Sequence, residues 1–145
     1  MLDRAAILGL IPHQGRMCLL DRVERWDADG ILCSALSHLD PDNPLRRDGT
    51  LHAVAGIEYA LQAAASHGAL QSGAPAGPGL LASLRAVRFH VARLDDPALG
   101  RILAQADLLT GAGHGSVYAF SLRTQDGRAL LEGRAALTTA RAACV

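Results

Sequence analysis

The chain has no lysine, few aromatic residues and no net charge. All fourteen basic residues are arginine, and fourteen acidic residues balance them. Nucleic-acid-binding proteins need a basic surface that displaces counterions, so the balanced charge argues against that class. Aromatic residues make up 3% of the chain, while half of it is hydrophobic. Any core must therefore be built mainly from Leu, Ala, Val and Ile.

Long apolar runs and paired cysteines are also missing. No run approaches the roughly 18 residues of a membrane span, and the first residues lack the basic-then-apolar pattern of a secretory signal. The cysteines, Cys18, Cys33 and Cys144, form no CxxC pair and no metal-type spacing. We expect a cytoplasmic protein with reduced thiols, no metal and no membrane span. A chain of 145 residues is most simply one domain, residues 1–145.

Residues 50–68 read as one long helix that is apolar nearly all round, which is typical of a buried helix. Between residues 53 and 65 only Glu58 and Gln62 are polar, and their spacing puts them on one face, which Ser66 continues. Burying a carboxylate is costly unless it is paired or used. The pattern leaves two interpretations: Glu58 lies on a narrow solvent-exposed stripe, or it is a working acid in a dry pocket.

The other elements are shorter. Asp3 is a candidate cap for a helix within residues 1–10, and Pro12 ends that helix. Asp48 and Thr50 are candidate caps of the long helix, and Gly68 is its expected end. Alternation and turn residues predict strands at 17–26, 31–38, 85–91, 101–110, 116–124 and 129–139. Two strands, one helix and four strands with short connections predict an α+β fold, in which an antiparallel sheet wraps around the helix. Residues 71–79 and 111–115 are expected to be a connector and a glycine-rich turn.

Two blocks resemble the 3-hydroxyacyl-(acyl-carrier-protein) dehydratase family. Residues 11–23 resemble its opening Pro-His … Leu-Leu-x-Asp-Arg-Val, and residues 56–62, Gly-Ile-Glu-Tyr-Ala-Leu-Gln, are similar to its helix segment. The second block is most like a divergent branch associated with aryl-polyene pigment clusters. The resemblance implies a hot-dog fold, with a twisted antiparallel sheet around one long central helix. It also implies at least a dimer, an acyl carrier protein that carries a fatty or polyketide acyl thioester, and no cofactor.

The resemblance assigns roles to residues near the helix. Eliminating water from a 3-hydroxyacyl thioester needs a base, an acid and donors for the developing carbonyl charge. Glu58 is the expected acid. Gln62 would orient it or line the pocket, and Gly56 and Gln62 are the expected substrate-binding residues. Free N–H groups at a helix start suit the carbonyl oxygen.

The base is less obvious, because the position at which the family carries its proton-abstracting histidine is Pro44 here. His52 is the histidine that the preceding loop offers, and it would meet Glu58 across a dimer. His13, in the Pro-His block, is the alternative base. No catalytic role is expected for the remaining histidines: His38 and His90 on strands, His67 at a helix C-terminus and His114 in a turn.

Three functions remain open: an active dehydratase, a hot-dog thioesterase in which Glu58 activates a water, and a catalytically silent subunit paired with an active paralogue. The absent histidine segment favours the silent subunit. Arginines could dock an acidic carrier protein, and the candidates are Arg46, Arg47, Arg85, Arg88 and Arg93.

Overall fold

The computed structural model describes residues 1–77, 79–111 and 115–139. Its two α-helices are α1 (Arg4–Leu8) and α2 (Gly56–Ser72). Its strands are β1 (Arg22–Trp26), β2 (Gly30–Ala35), β3 (Gly79–Phe89), β4 (Ile102–Thr110), β5 (Gly115–Thr124) and β6 (Ala129–Thr139). The strands form one sheet in the order β1-β2-β4-β5-β6-β3, and every neighbouring pair is antiparallel. The predicted architecture, one long helix against a six-stranded antiparallel sheet, is confirmed.

Helix α2 packs on the inner face of the sheet, against β2, β4 and β5. Small residues on the helix allow a close approach, and Gly56 marks the tightest point. A Cβ at Gly56 would lie 2.4 Å from Leu131 Cδ2 and 3.1 Å from Leu122 Cδ2. The core is aliphatic, as predicted, but Tyr59, Tyr118 and Phe120 are also buried in it. Gly56 therefore sets the distance between the helix and the sheet.

The predicted start of the long helix is wrong, because a tertiary pairing holds the preceding residues extended. The Ala53 N–H donates to the Ala92 carbonyl at 3.0 Å, and the Leu94 N–H donates to the Leu51 carbonyl at 2.8 Å. A 3₁₀ turn, Ala53–Ala55, then leads into α2. Neither Asp48 nor Thr50 caps the helix, since the Asp48 φ of 51° and the bridge between Arg47 and Thr50 make a tight turn there.

The predicted end of the long helix is also wrong. The chain passes through Gly68 in helical conformation and continues to Ser72. Gly73 ends the helix in the left-handed region, with φ 73°, which glycine adopts without the penalty of a Cβ. Residues 71 and 72 of the predicted connector are therefore helix, and residue 79 is strand, rather than loop.

Three of the described strands differ from their predicted ranges, and three agree with them. The first strand begins only at Arg22, because residues 17–19 bond to the helix instead of to a strand. Strand β2 ends at Ala35, before a 3₁₀ turn (Ser37–Leu39). Strand β3 is longer than predicted and contains a bulge at Ala86, whose φ is 53°. Strands β4, β5 and β6 match their predicted ranges to within a residue, and residues 112–114 of the predicted glycine-rich turn lie outside the described residues.

Candidate functional site

The polar line along α2 is covered rather than exposed. Gln62 is 1% exposed and Ser66 is fully buried. The Gln62 amide accepts the Leu19 N–H at 2.8 Å through Oε1 and donates to the Met17 carbonyl at 2.6 Å through Nε2. The interpretation that these two residues lie on a solvent-exposed stripe is therefore wrong. Gln62 tethers the Pro-His block to the helix, and these two side-chain bonds go to that block rather than to Glu58.

Glu58 lies one turn before Gln62 and is half-buried. No described side chain or backbone group forms a hydrogen bond or ion pair with its carboxylate. Its helix neighbours Tyr59 and Ala60 are buried in the core. Glu58 is thus a half-buried carboxyl group in the first turn of α2. It is free to contact a molecule outside this chain.

Gly56, the other residue expected to bind substrate, is buried against the sheet leucines. Its N–H donates to the carbonyls of Ala53 and Val54 within the 3₁₀ turn. The turn thereby uses a donor that a free helix start would present to a ligand. Substrate binding by Gly56 stays a prediction, and its contacts are those of a packing residue.

His52 is placed by backbone pairing immediately before the 3₁₀ turn. It forms an antiparallel bridge with Arg93, while its side chain is exposed and makes no bond within the described chain. The Asp95 carboxylate, 4% exposed, accepts the adjacent Leu51 N–H at 3.1 Å and the Arg93 Nε–H at 3.0 Å. Arg46 Nη1 lies 3.5 Å from the same carboxylate. The Arg93 guanidinium holds the pKa of the Asp95 carboxyl well below its usual range.

The described residues do not bring Glu58 into hydrogen-bonding contact with any histidine of the same chain. His13 lies between α1 and the 3₁₀ turn Gly15–Met17; it is half-buried, and its Nδ1 is buried without a partner. His52 and Glu58 flank the start of α2 as two separate free groups. The described residues of one chain therefore show no hydrogen-bonded acid–base pair that includes Glu58.

The predicted positions of two histidines are wrong. His67 is not at a helix end but inside α2, fully buried. Its Nε2 donates to the Asp27 carbonyl at 2.8 Å, so its Nδ1 accepts from the Tyr118 hydroxyl at 2.8 Å. His38 lies in the 3₁₀ turn Ser37–Leu39 rather than on a strand, and its Nε2 donates to the Gly100 carbonyl at 2.7 Å. Both are structural residues that join distant segments.

The remaining two histidines lie outside the core or outside the described chain. His90 directly follows β3, is exposed and lies 2.9 Å from Glu132. His114 falls outside the described residues. His90 forms no bond with Glu58.

Burial of His38 predicts a pH-dependent stability. Desolvation lowers the pKa of His38 below its ordinary value of 6.5, although the bond to Gly100 opposes the shift. Below that value the unfolded chain binds a proton that the folded chain does not, so stability falls as pH falls. We expect wild type to lose more unfolding free energy between pH 7 and 5 than His38→Gln, in urea titrations at both pH values. Equal losses would contradict this, and His90→Gln is the control.

A cleft of about 390 Å³ opens between the N-terminal segment and the loop that follows β2, with Arg4, Arg16 and Pro44 among its lining residues. Its floor includes Ser37 and Asn43, which bond to the Tyr59 hydroxyl at 2.8 and 3.1 Å. Burial raises the pKa of Tyr59 to about 12. Neither Glu58 nor His52 lines this cleft, so the cleft and the candidate acid are different places.

Neither a metal-binding cluster nor a membrane-spanning helix occurs in the part of the chain that the structure describes. No group of three or more His, Cys, Asp or Glu side chains there could hold a metal ion. No helix there is long and apolar enough to cross a membrane. Cys18 and Cys33 are buried free thiols, as the scattered spacing predicts.

Several solved structures share this fold. The dehydratase heterocomplex ApeI:P from Xenorhabdus doucetiae has a chain with a TM-score of 0.82 and 22% identity, over 94% of this chain and 91% of that one. A hypothetical thioesterase with coenzyme A from Streptococcus pneumoniae has a TM-score of 0.56 and 12% identity, over 81% and 84%. The E. coli PaaI protein has a TM-score of 0.60 and 12% identity, over 80% of each chain. These likenesses confirm the hot-dog fold.

Sequence comparison goes beyond the fold. No curated protein matches the chain at a significant level. A family model described as ApeP dehydratase matches residues 5–143, which include both dehydratase-like blocks and all the candidate residues. The chain therefore belongs to the ApeP-like dehydratase family.

Proposed function

We propose that this protein removes water from a 3-hydroxyacyl thioester held on an acyl carrier protein, giving the trans-2-enoyl thioester. The observation that carries the proposal is the half-buried Glu58 carboxyl, which has no partner among the described residues, on the central helix of a dehydratase-family chain. A carboxylate that tied segments of the fold together would have a bonding partner among them, and Glu58 has none among the described residues. The fatty or polyketide acyl group supplies the apolar part of the ligand.

The reaction needs two proton transfers. His52 takes the proton from the carbon next to the thioester carbonyl, and neutral imidazole suits that role near pH 7. Glu58 gives a proton to the departing 3-hydroxyl, so the carbon–oxygen bond breaks and water leaves. The electron pair of the broken carbon–hydrogen bond forms the new double bond. Proton exchange with water then restores both side chains, and no cofactor takes part.

We propose that the site is shared between two hot-dog subunits. Within one chain Glu58 and His52 do not bond: His52 lies in the extended segment before the 3₁₀ turn, and Glu58 lies in the first turn of α2. Strand β3 is an edge of the sheet, and it exposes Leu81, Leu84 and Phe89 by 44%, 37% and 45%. A long edge strand with exposed apolar side chains is a site of pairing with another chain. The second subunit is another copy or a paralogue; the ApeI:P complex is a pairing of the second kind.

The carrier protein has a candidate docking face on the outer side of β3 and β6. Arg85 lies directly opposite Arg134 in the sheet, and both are exposed. Neither forms an ion pair with another described residue. Like charges placed opposite each other destabilise a sheet unless something neutralises them. An acidic carrier surface would do so, which supports this partner.

A silent subunit is the second candidate. Pro44 occupies the position of the family's base, and the exposed His52 ring has no hydrogen-bonded group to orient it. A subunit of this kind would keep the acyl-binding helix and leave the proton transfers to its partner.

The product identifies the function. We expect the purified protein, incubated with a 3-hydroxyacyl carrier protein, to give the enoyl thioester, seen by mass spectrometry as the loss of one water from the carrier-bound acyl group. Release of the free acid would instead identify a thioesterase. If neither product forms, the dehydratase proposal fails and the silent subunit is favoured.

A further inference from the structure

Residues 51–53 approach the central helix as a short extended segment held on one side only. It pairs with residues 92–94 through the Ala53-to-Ala92 and Leu94-to-Leu51 hydrogen bonds, at 3.0 and 2.8 Å. His52 is the middle residue of this segment, and its bridge partner is Arg93. Two backbone bonds alone hold a segment this short weakly, so its position depends on what else restrains it.

The additional restraint is the Asp95 carboxylate. Its Oδ1 accepts the Leu51 N–H at 3.1 Å and the Arg93 Nε–H at 3.0 Å, and its Oδ2 contacts the Arg93 guanidinium. Asp95 therefore holds the residue before His52 and the residue opposite His52 at the same time. Its side chain is only 4% exposed, so water competes poorly for these bonds.

Arg46 connects the same carboxylate to the loop before the helix. Its Nη1 lies 3.5 Å from Asp95 Oδ2 and donates to the Gly49 carbonyl at 2.9 Å. Its Nε donates to the Asp40 carbonyl at 2.9 Å, and its Nη2 to the His38 carbonyl at 3.3 Å. Loop, pre-helix segment and the segment after β3 thus meet at one buried carboxylate.

We propose that Asp95 is a positioning residue for His52: it fixes the backbone that carries the base and does not touch the substrate. The proposal rests on the proposed function, because it assigns His52 the proton transfer. Charge-assisted bonds are the strong ones, and a reacting group displaced by about 1 Å loses up to roughly 10²-fold in rate. Asp95 thus supplies the rigidity that the exposed His52 side chain lacks.

Two substitutions at Asp95 separate positioning from folding. Asp95→Ala removes the acceptor for the Leu51 N–H, whereas Asp95→Asn keeps an oxygen in that place. We expect Asp95→Ala to lower kcat by roughly 10- to 10²-fold with KM within about twofold, and Asp95→Asn to recover most of the loss. The matched control is Asp96→Ala. The native Asp96 carboxylate caps the neighbouring 3₁₀ turn by accepting the Ala98 N–H at 2.9 Å. The control variant should lose stability and keep kcat.

The activities of these variants decide the positioning role of Asp95. Equal kcat losses in Asp95→Ala and Asp96→Ala, or no rescue by Asp95→Asn, would overturn the positioning role. An Asp95→Ala protein with wild-type kcat would overturn it as well. If Asp95→Ala fails to fold, Asp95→Asn alone decides: a kcat close to wild type supports the positioning role, and a loss as large as that of His52→Gln overturns it. If His52→Gln dehydrates the substrate at the wild-type rate, the role of His52 in the proposed function fails, whatever the Asp95 variants show.

Discussion

Glu58→Gln lowers kcat for water elimination by roughly 10²- to 10⁴-fold, the usual contribution of a positioned general acid. Glutamine keeps the size and polarity of the side chain but has no proton to give to the departing hydroxyl. Because Glu58 has no bonding partner among the described residues, the exchange breaks no contact that holds the fold. The rate is measured with a 3-hydroxyacyl carrier protein at saturating concentration.

The control for this variant is Asp29→Asn, an exposed carboxylate in the turn between β1 and β2. It should retain the wild-type rate. Thermal unfolding of Glu58→Gln should match wild type within a few degrees, which separates lost chemistry from lost folding. A Glu58→Gln protein with an unchanged rate would remove Glu58 from the mechanism.

Gln62→Leu costs about 2–4 kcal/mol of unfolding free energy, because it leaves one buried and one half-buried backbone group without partners, at about 1–3 kcal/mol for the buried group and less for the other. Those groups are the Leu19 N–H and the Met17 carbonyl. Leucine is similar in size to glutamine, so the loss comes from the bonds rather than from a cavity. Urea unfolding measures it.

Gln71→Leu is the matched control on the same helix. Gln71 is exposed, and its amide donates to the Ala28 carbonyl at 2.6 Å. Substitution there should cost less than about 1 kcal/mol, since water replaces the lost bond. Similar losses in the two variants would contradict the tether between Gln62 and the Pro-His block.

Sequence patterns predicted the later strands well, because β4, β5 and β6 combine alternation with short turns such as Asp126-Gly127. They also predicted the long helix, since a run that is apolar on most sides is typical of a buried helix. The start of that helix was not predictable. Residues 50–55 have much the same composition as α2, and pairing with residues 92–94, together with the Asp95 carboxylate, holds part of them extended.

The candidate site was predictable in part. Spacing placed Glu58 and Gln62 on one face of the helix. It could not show that residues 17–19, more than forty positions away in the chain, bond to Gln62 and not to Glu58. Asp95 gave no signal, because Asp-Asp-Pro reads as an ordinary turn. Its role depends on contacts with Leu51, 44 residues earlier, and sequence periodicity carries no information at that range.

The central claim is that Glu58 works with His52 as the base. The most direct test compares single-turnover dehydration by His52→Gln and His13→Gln, with both proteins checked for native stability. We expect His52→Gln to slow the chemical step by roughly 10²-fold or more, since it removes a general base, and His13→Gln to stay within about threefold of wild type. A normal rate in His52→Gln together with a large loss in His13→Gln would contradict the account and move the base to the Pro-His block.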